Sequence, residues 1–191
     1  MLSIADPTAP GGLSSRELTN STDSTVTKLR TSDGTVLGTF SVASPGGVAF
    51  DGANIWVANF GANTVTKLRA SDGATLGTFA VALNPYGMAF DGANIWVPNS
   101  GANTVTKLRA SDGTVLGTFA VGTGPFAVVF DGANIWVTNP GSGSGNTVTK
   151  LQAINGAFLG TFTVGLNPIG MAFDGANIWV ANSFSSTVSK L

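Results

Sequence analysis

The sequence predicts an all-β fold, a β-propeller of four-stranded antiparallel blades, and three recurring blocks about 40 residues apart predict it. FDGANIWV begins at Phe50, Phe90, Phe130 and Phe173, at spacings of 40, 40 and 43 residues. A second block, (N/S)TV(T/S)KL, ends at Leu29, Leu68, Leu108, Leu151 and Leu191, and LGTF ends at Phe40, Phe79, Phe119 and Phe162. The longer spacing has a local cause. Residues 140–147 (PGSGSGNT) hold three more residues than residues 100–104 (SGANT), and a Gly/Ser-rich insertion belongs in a loop.

Within the unit that starts at Pro85, strand A is expected over 87–90, followed by Asp91-Gly92-Ala93-Asn94, whose Asp-Gly pair is a hairpin-turn signal. Strand B is expected over 95–97 and strand C over 104–109, closed by Ser111-Asp112-Gly113. Strand D is expected over 115–121, and Gly-Thr-Gly-Pro then leads to the next strand A. Strand B (Ile95, Trp96, Val97) is apolar on both faces, as a strand held between two neighbouring blades must be. Trp56, Trp96, Trp136 and Trp179 are therefore read as core between blades. Lys67, Arg69, Lys107 and Arg109 on strand C are read as a solvated outer edge that discourages sheet-to-sheet pairing.

The phase of the repeat governs the expected organisation. Strands C and D come first (25–42), three complete units start at Pro45, Pro85 and Pro125, and strands A to C of a further unit end at Leu191. The N-terminal strand D, 35–42, is expected to complete that last unit and close a ring of four blades. Leu18-Thr19-Asn20 stands at the same distance from TVTKL as Val180-Ala181-Asn182 does from TVSKL, which marks an eroded strand B and a degraded fifth unit. The expected division is an irregular leader over 1–17 and blades over 18–191: a partial unit 18–43, full units 44–83, 84–123 and 124–166, and a partial unit 167–191. Two alternatives stand beside ring closure within one chain: a homodimer completing a ring of about eight blades, and a segment of a larger propeller.

Composition narrows the chemistry. Net charge is −1 and charged residues are 10% of the chain, so no basic field exists to hold nucleic acid. The chain has no Cys and no His, which removes thiolate metal sites, disulfides and the commonest general base. No apolar run reaches the ~20 residues of a membrane-spanning helix, and the first residues lack the basic and apolar regions of a signal peptide. No cofactor is expected.

The unit P-x-G-x-A-F-D-G-A-N-I-W-V-A-N-x-x-x-N-T-V-T-K-L resembles the YVTN/NHL-type propeller repeats, and especially those of the streptogramin B lyase (virginiamycin B lyase)-like bacterial propellers, over residues 18–191. The resemblance implies a bacterial, extracytoplasmic propeller of six or seven blades. It also implies, for a lyase, catalytic His and Glu side chains with a magnesium ion. Here there is no His, and the one Glu, Glu17, precedes the clear repeats, so no catalytic residue carries over.

A pseudo-symmetric set, Asp51, Asp91, Asp131 and Asp174, is a weak candidate for a cation site, against the simpler reading that Asp-Gly is what the A–B turn requires. The loops after strands B and D are expected on one face of the ring, where units that are otherwise near-identical differ most. Phe60, Tyr86, Phe126 and Phe184, with Asn59, Asn84, Asn99, Asn139, Asn167 and Asn182, are the candidate contacts to a protein or small-molecule partner. The expected function is a non-catalytic binding or scaffolding module. A metal-dependent enzyme, and a purely structural or self-assembling repeat, are the alternatives.

Overall fold

The computed structural model describes residues 3–5 and 15–191, with side chains from residue 19 onward. The first sheet comprises β1 (Ser3–Ala5), β2 (Ser15–Asn20), β3 (Thr25–Arg30) and β4 (Val36–Ser41). The second comprises β5 (Pro45–Phe50), β6 (Asn54–Asn59), β7 (Thr64–Arg69) and β8 (Thr75–Ala80), and the third β9 (Ala89–Phe90), β10 (Asn94–Asn99), β11 (Thr104–Arg109) and β12 (Val115–Ala120). The fourth is β13 (Val128–Phe130), β14 (Asn134–Asn139), β15 (Thr147–Gln152) and β16 (Phe158–Thr163). The fifth has three strands, β17 (Pro168–Phe173), β18 (Ile178–Asn182) and β19 (Thr187–Lys190). The first four sheets are antiparallel A-B-C-D meanders in sequence order, the arrangement of a propeller blade, and the fifth is the A-B-C part of one.

The eroded strand expected before Thr25 is present. β2 pairs with β3 so that Asn20 faces Thr25, the same register that sets Asn59 opposite Thr64 in the second blade. The first sheet thus reaches into residues 1–17, where an irregular leader was expected. Ring closure by the N-terminal strand D does not occur. β4 stays paired with β3 of its own blade, and among the described residues β4 and β19 are each the outermost strand of separate sheets. Among the described residues, no core cluster and no hydrogen bond joins the fifth blade to the first, and the five blades form an open arc.

The core lies between blades and follows from the period of two. In the second, third and fourth blades the forward face offers the strand-B Trp, a strand-C Val and the strand-D Phe, whereas the first blade offers Val26 and Phe40 without a Trp. The next blade's backward face answers with Ile and Val of strand B and Leu of strand C. At the joint between the second and third blades, Trp56, Val65 and Phe79 meet Met88, Ile95, Val97 and Leu108. Trp56 and Trp96 are 0% exposed and Trp136 7%, whereas Trp179, on the last forward face, is 40% exposed. Burying one such indole is worth about 4–6 kcal/mol as an upper bound on transfer grounds.

The strand-C lysines are not a solvated edge. Lys67 and Lys107 are buried between blades, where Lys67 Nζ donates to Ala110 O at 2.7 Å and Lys107 Nζ to Ala153 O at 2.7 Å. Each ammonium also lies 5.0 Å from the centre of its own blade's Trp ring. Strand C is third of four, so its side chains face neighbouring blades. The perimeter is strand D, which exposes Leu37, Leu76, Leu116 and Leu159. Arg69 and Arg109 remain at the surface and pair with Asp72 and Asp112 of their own turns.

A glycine completes three of the joints. Gly113, at φ +77°, sits in the C–D turn directly beneath the Phe79 ring of the preceding blade, and a Cβ there would overlap the ring. Gly113→Ala is therefore expected to lower stability by about 2 kcal/mol or more, from the left-handed backbone and from overpacking together. Urea unfolding of the variant beside Gly92→Ala, whose Cβ meets open space at a similar φ of +95°, separates the two: the Gly113 variant must be the weaker.

Candidate functional site

The two ends of the blades carry different chemistry. At one end the A–B and C–D turns are self-contained. Asp91 Oδ1 accepts from Ala93 N and Asn94 N at 2.9 and 2.7 Å, and Asp91 Oδ2 accepts from Trp96 Nε1 at 2.7 Å. Asp51, Asp131 and Asp174 repeat this arrangement with Trp56, Trp136 and Trp179. Each carboxylate is spent within its own blade, so the four serve the turn and the Trp. Among the described residues, no group of three metal-ligating side chains converges.

These hydrogen bonds govern titration. Burial pushes the carboxyls of Asp51, Asp91 and Asp131 up, but the indole N–H and the turn amides favour the ionised form and hold all three below the ordinary value of 3.8. Asp174 is lowered chiefly by the Trp179 indole N–H. A carboxylate with a depressed folded pKa contributes stability that is complete above the unfolded value and is lost as pH falls through the folded one.

At the other end, the B–C and D–A loops meet as the repeat predicts. Asn84 N donates to Asn63 Oδ1 at 2.9 Å, Gly124 N to Asn103 Oδ1 at 2.9 Å, and Ser100 N and Oγ both donate to Asn84 O at 2.9 Å. Ser44, Asn84, Gly124 and Asn167 occupy one left-handed position, φ +46° to +58°, which explains why only Ser, Asn and Gly stand there. Asn84 and Asn167 thus build the loop.

The Asn residues that end strand B also take another role than the one expected. Asn59, Asn99, Asn139 and Asn182 are at most 2% exposed. Asn99 Nδ2 donates to Thr104 Oγ1 and Thr106 Oγ1 at 3.1 and 2.9 Å, clamping the B–C hairpin, and the other three repeat the bond. Their Oδ1 atoms are buried without a partner among the described residues. They lie behind the surface a ligand would meet.

The aromatic candidates do assemble. Phe60 meets Tyr86 edge-on with ring centres 6.0 Å apart, and Tyr86 stacks on Phe126 at 4.2 Å, so a ladder of three rings crosses three blades. Strand A positions it. Pro45, Pro85, Pro125 and Pro168 open the strand-A segment of the second to fifth blades, and the next residue is Gly46, Tyr86, Phe126 or Ile169. The first strands approach closely there: Gly87 N donates to Phe126 O at 3.1 Å, and a Cβ on Gly87 would overlap that oxygen. Phe184 stands apart from the ladder, 68% exposed, against Gly143 of the long loop.

Three apolar members of this face escaped sequence reasoning: Leu83, Leu166 and Ile169, all exposed. Their signal was present. Leucines in a D–A loop of otherwise small residues, and an aliphatic residue in register with Tyr86 and Phe126, mark one surface. Together with Phe60 and Phe184 they make the loop end apolar without a charged side chain among them.

The carboxylates give a direct expectation. Chemical unfolding followed from pH 8 to pH 2 should give constant stability above about pH 5 and a decline as pH falls below the ordinary carboxylate value of 3.8. Asp91→Ala, which orphans the Trp96 indole N–H, should lower stability at pH 7 by about 1–3 kcal/mol.

Comparisons with solved structures identify the fold. The chain superposes on hydrazine synthase from Kuenenia stuttgartiensis with a TM-score of 0.80 at 21% identity, covering 87% of this chain and 51% of that one. A functionally unknown protein from Desulfotomaculum acetoxidans gives 0.76 at 20% identity, covering 93% and 65%. Virginiamycin B lyase from Staphylococcus aureus, solved with quinupristin, gives 0.77 at 15% identity, covering 93% and 63%. The chain thus spans about half to two thirds of the length of these structures. No protein-family model and no curated protein matches it. The fold is a β-propeller, and at these identities the likeness extends to the fold alone.

Proposed function

We propose that this chain is a non-catalytic β-propeller binding or scaffolding module that engages its partner through the loop end of the blades. The observation that carries this reading is the ladder of Phe60, Tyr86 and Phe126, three aromatic rings in contact across three blades that otherwise repeat almost residue for residue. Aromatic side chains give large contact area at low entropic cost, and the surrounding Leu83, Leu166 and Ile169 extend an apolar surface suited to a planar or aromatic group.

The absence of His from the sequence supports a non-catalytic role, because the His and Glu pair implied by the lyase resemblance has no counterpart. The described carboxylates that lie in repeats are engaged by turn amides, an indole or an arginine rather than held ready for proton transfer.

Saturation-transfer NMR with indole as probe tests the proposal. The wild-type chain should transfer saturation to indole, and the Tyr86→Ala/Phe126→Ala double variant should lose most of the transfer. Because the two rings are half-buried and stack on each other, the double variant should unfold only about 2–4 °C lower. Unchanged transfer would place binding elsewhere, and magnesium-dependent turnover of quinupristin by the wild-type chain would overturn the non-catalytic reading.

A further inference from the structure

We propose that the loop end of the blades docks on the surface of an electrically neutral lipid bilayer, with its apolar side chains among the headgroups and the turn end left in water. The proposal names the partner of the loop-end face, and so rests on the reading of that face as the binding surface.

The first observation is where the charges stand. After residue 34, every charged residue lies in an A–B turn, on strand C or in a C–D turn. Even the strand-C lysines reach for the turn end, where Lys67 Nζ donates to Ala110 O and Ser111 O at 2.7 and 3.2 Å, and Lys107 Nζ to Ala153 O and Ile154 O at 2.7 and 3.1 Å. Arg69–Asp72 and Arg109–Asp112 keep exposed ion pairs there. The B–C and D–A loops of the second to fifth blades carry no charged side chain at all. Asp23, in the B–C loop of the first blade, is the one charged loop-end residue among those described.

The second observation is how the apolar residues of that end are spaced. Phe60, Leu83 and Leu166 are 39, 55 and 45% exposed, each in a loop that bonds to its neighbour across a joint between two blades. Each stands in sequence among Gly, Ala, Asn or Pro. Tyr86, a residue type favoured at membrane interfaces, lies against Phe60.

These features favour a lipid surface over a protein partner. At about 200 Å² or less for a whole side chain, the three residues expose under about 300 Å² of apolar surface, well short of the ~800 Å² that each partner of a stable protein interface contributes. A flat protein surface would also have to bond every loop amide that it covered. A bilayer interface requires neither a matched shape nor a large area, because apolar side chains enter it one by one while headgroups and water keep the amides bonded. With no charge on the face, no ion is desolvated on docking and anionic lipid gains no hold.

The test is flotation of the chain with vesicles of phosphatidylcholine alone. The chain should float with them at millimolar lipid, equally at about 0.05 M and about 0.5 M salt, and added phosphatidylglycerol should leave the bound fraction unchanged. The double variant Leu83→Ser/Leu166→Ser should partition about tenfold or more weakly, whereas Leu116→Ser, on the strand-D perimeter and 42% exposed, should bind as the wild type does. Both variants keep the aromatic ladder, so both should still transfer saturation to indole. Indole transfer without flotation of the wild-type chain would overturn the lipid proposal alone, and absence of both signals would remove the loop-end reading beneath it. Binding that needs anionic lipid, or an equal loss in the Leu116 variant, would also overturn the proposal. So would a discrete dimer in lipid-free light scattering that the leucine double variant abolishes, which would assign the face to a second copy of the chain.

Discussion

The strand-B tryptophan is the fixed point of this structure. Its indole N–H is held by the Asp of the preceding turn, its face carries the strand-C ammonium, and its ring packs at a tilt on the strand-D Phe before the whole group closes on the next blade. One side chain thus ties all four strands of a blade to one another and the blade to its neighbour. The near-identity of FDGANIWV through the chain is the sequence form of that constraint, because Asp, Asn and Trp are bound to one another and none can change alone.

The same constraint explains the choice of residues between blades. With the Trp56 indole filling the forward face of the second blade, the answering face has room for Ile, Val and Leu but none for a Cβ at Gly113, where the Phe79 ring of the preceding blade lies. Lys107 spans the joint and finds a carbonyl of the next blade, which offsets the cost of burying an ammonium. Interfaces that repeat in this way add up blade by blade, so stability is close to a sum over joints. Loop ends, which contribute little to the joints, are free to differ.

Much of this was legible in the sequence, and the reasons are specific. Period-two alternation and Asp-Gly turns placed strand C at residues 104–109, where it is observed, and the offset of Leu18-Thr19-Asn20 from TVTKL marked a fifth blade. The aromatic candidates Phe60, Tyr86 and Phe126 were picked by their variation and do meet. What the sequence hid depends on which face of a strand a blade turns to its neighbour. Lys67 and Lys107 read as surface residues because a charge in a half-polar strand usually is one, and only the three-dimensional position of Ala110 O and Ala153 O shows why they are buried. Asn99 read as a loop residue because strand B runs two residues further than its apolar core suggests, to Asn99 rather than Val97. The separation of β19 and β4 into different sheets was hidden by the equal plausibility of pairing them.

The central claim is that the blades stack through shielded tryptophans along an open arc that leaves one of the four uncovered. Acrylamide quenching of tryptophan emission tests it most directly, comparing the wild-type chain with Trp179→Phe. The account predicts two populations in the wild-type chain, three indoles shielded and one accessible, with the accessible population absent from the variant. A single shielded population in the wild-type chain, or an accessible population that survives the substitution, would contradict it.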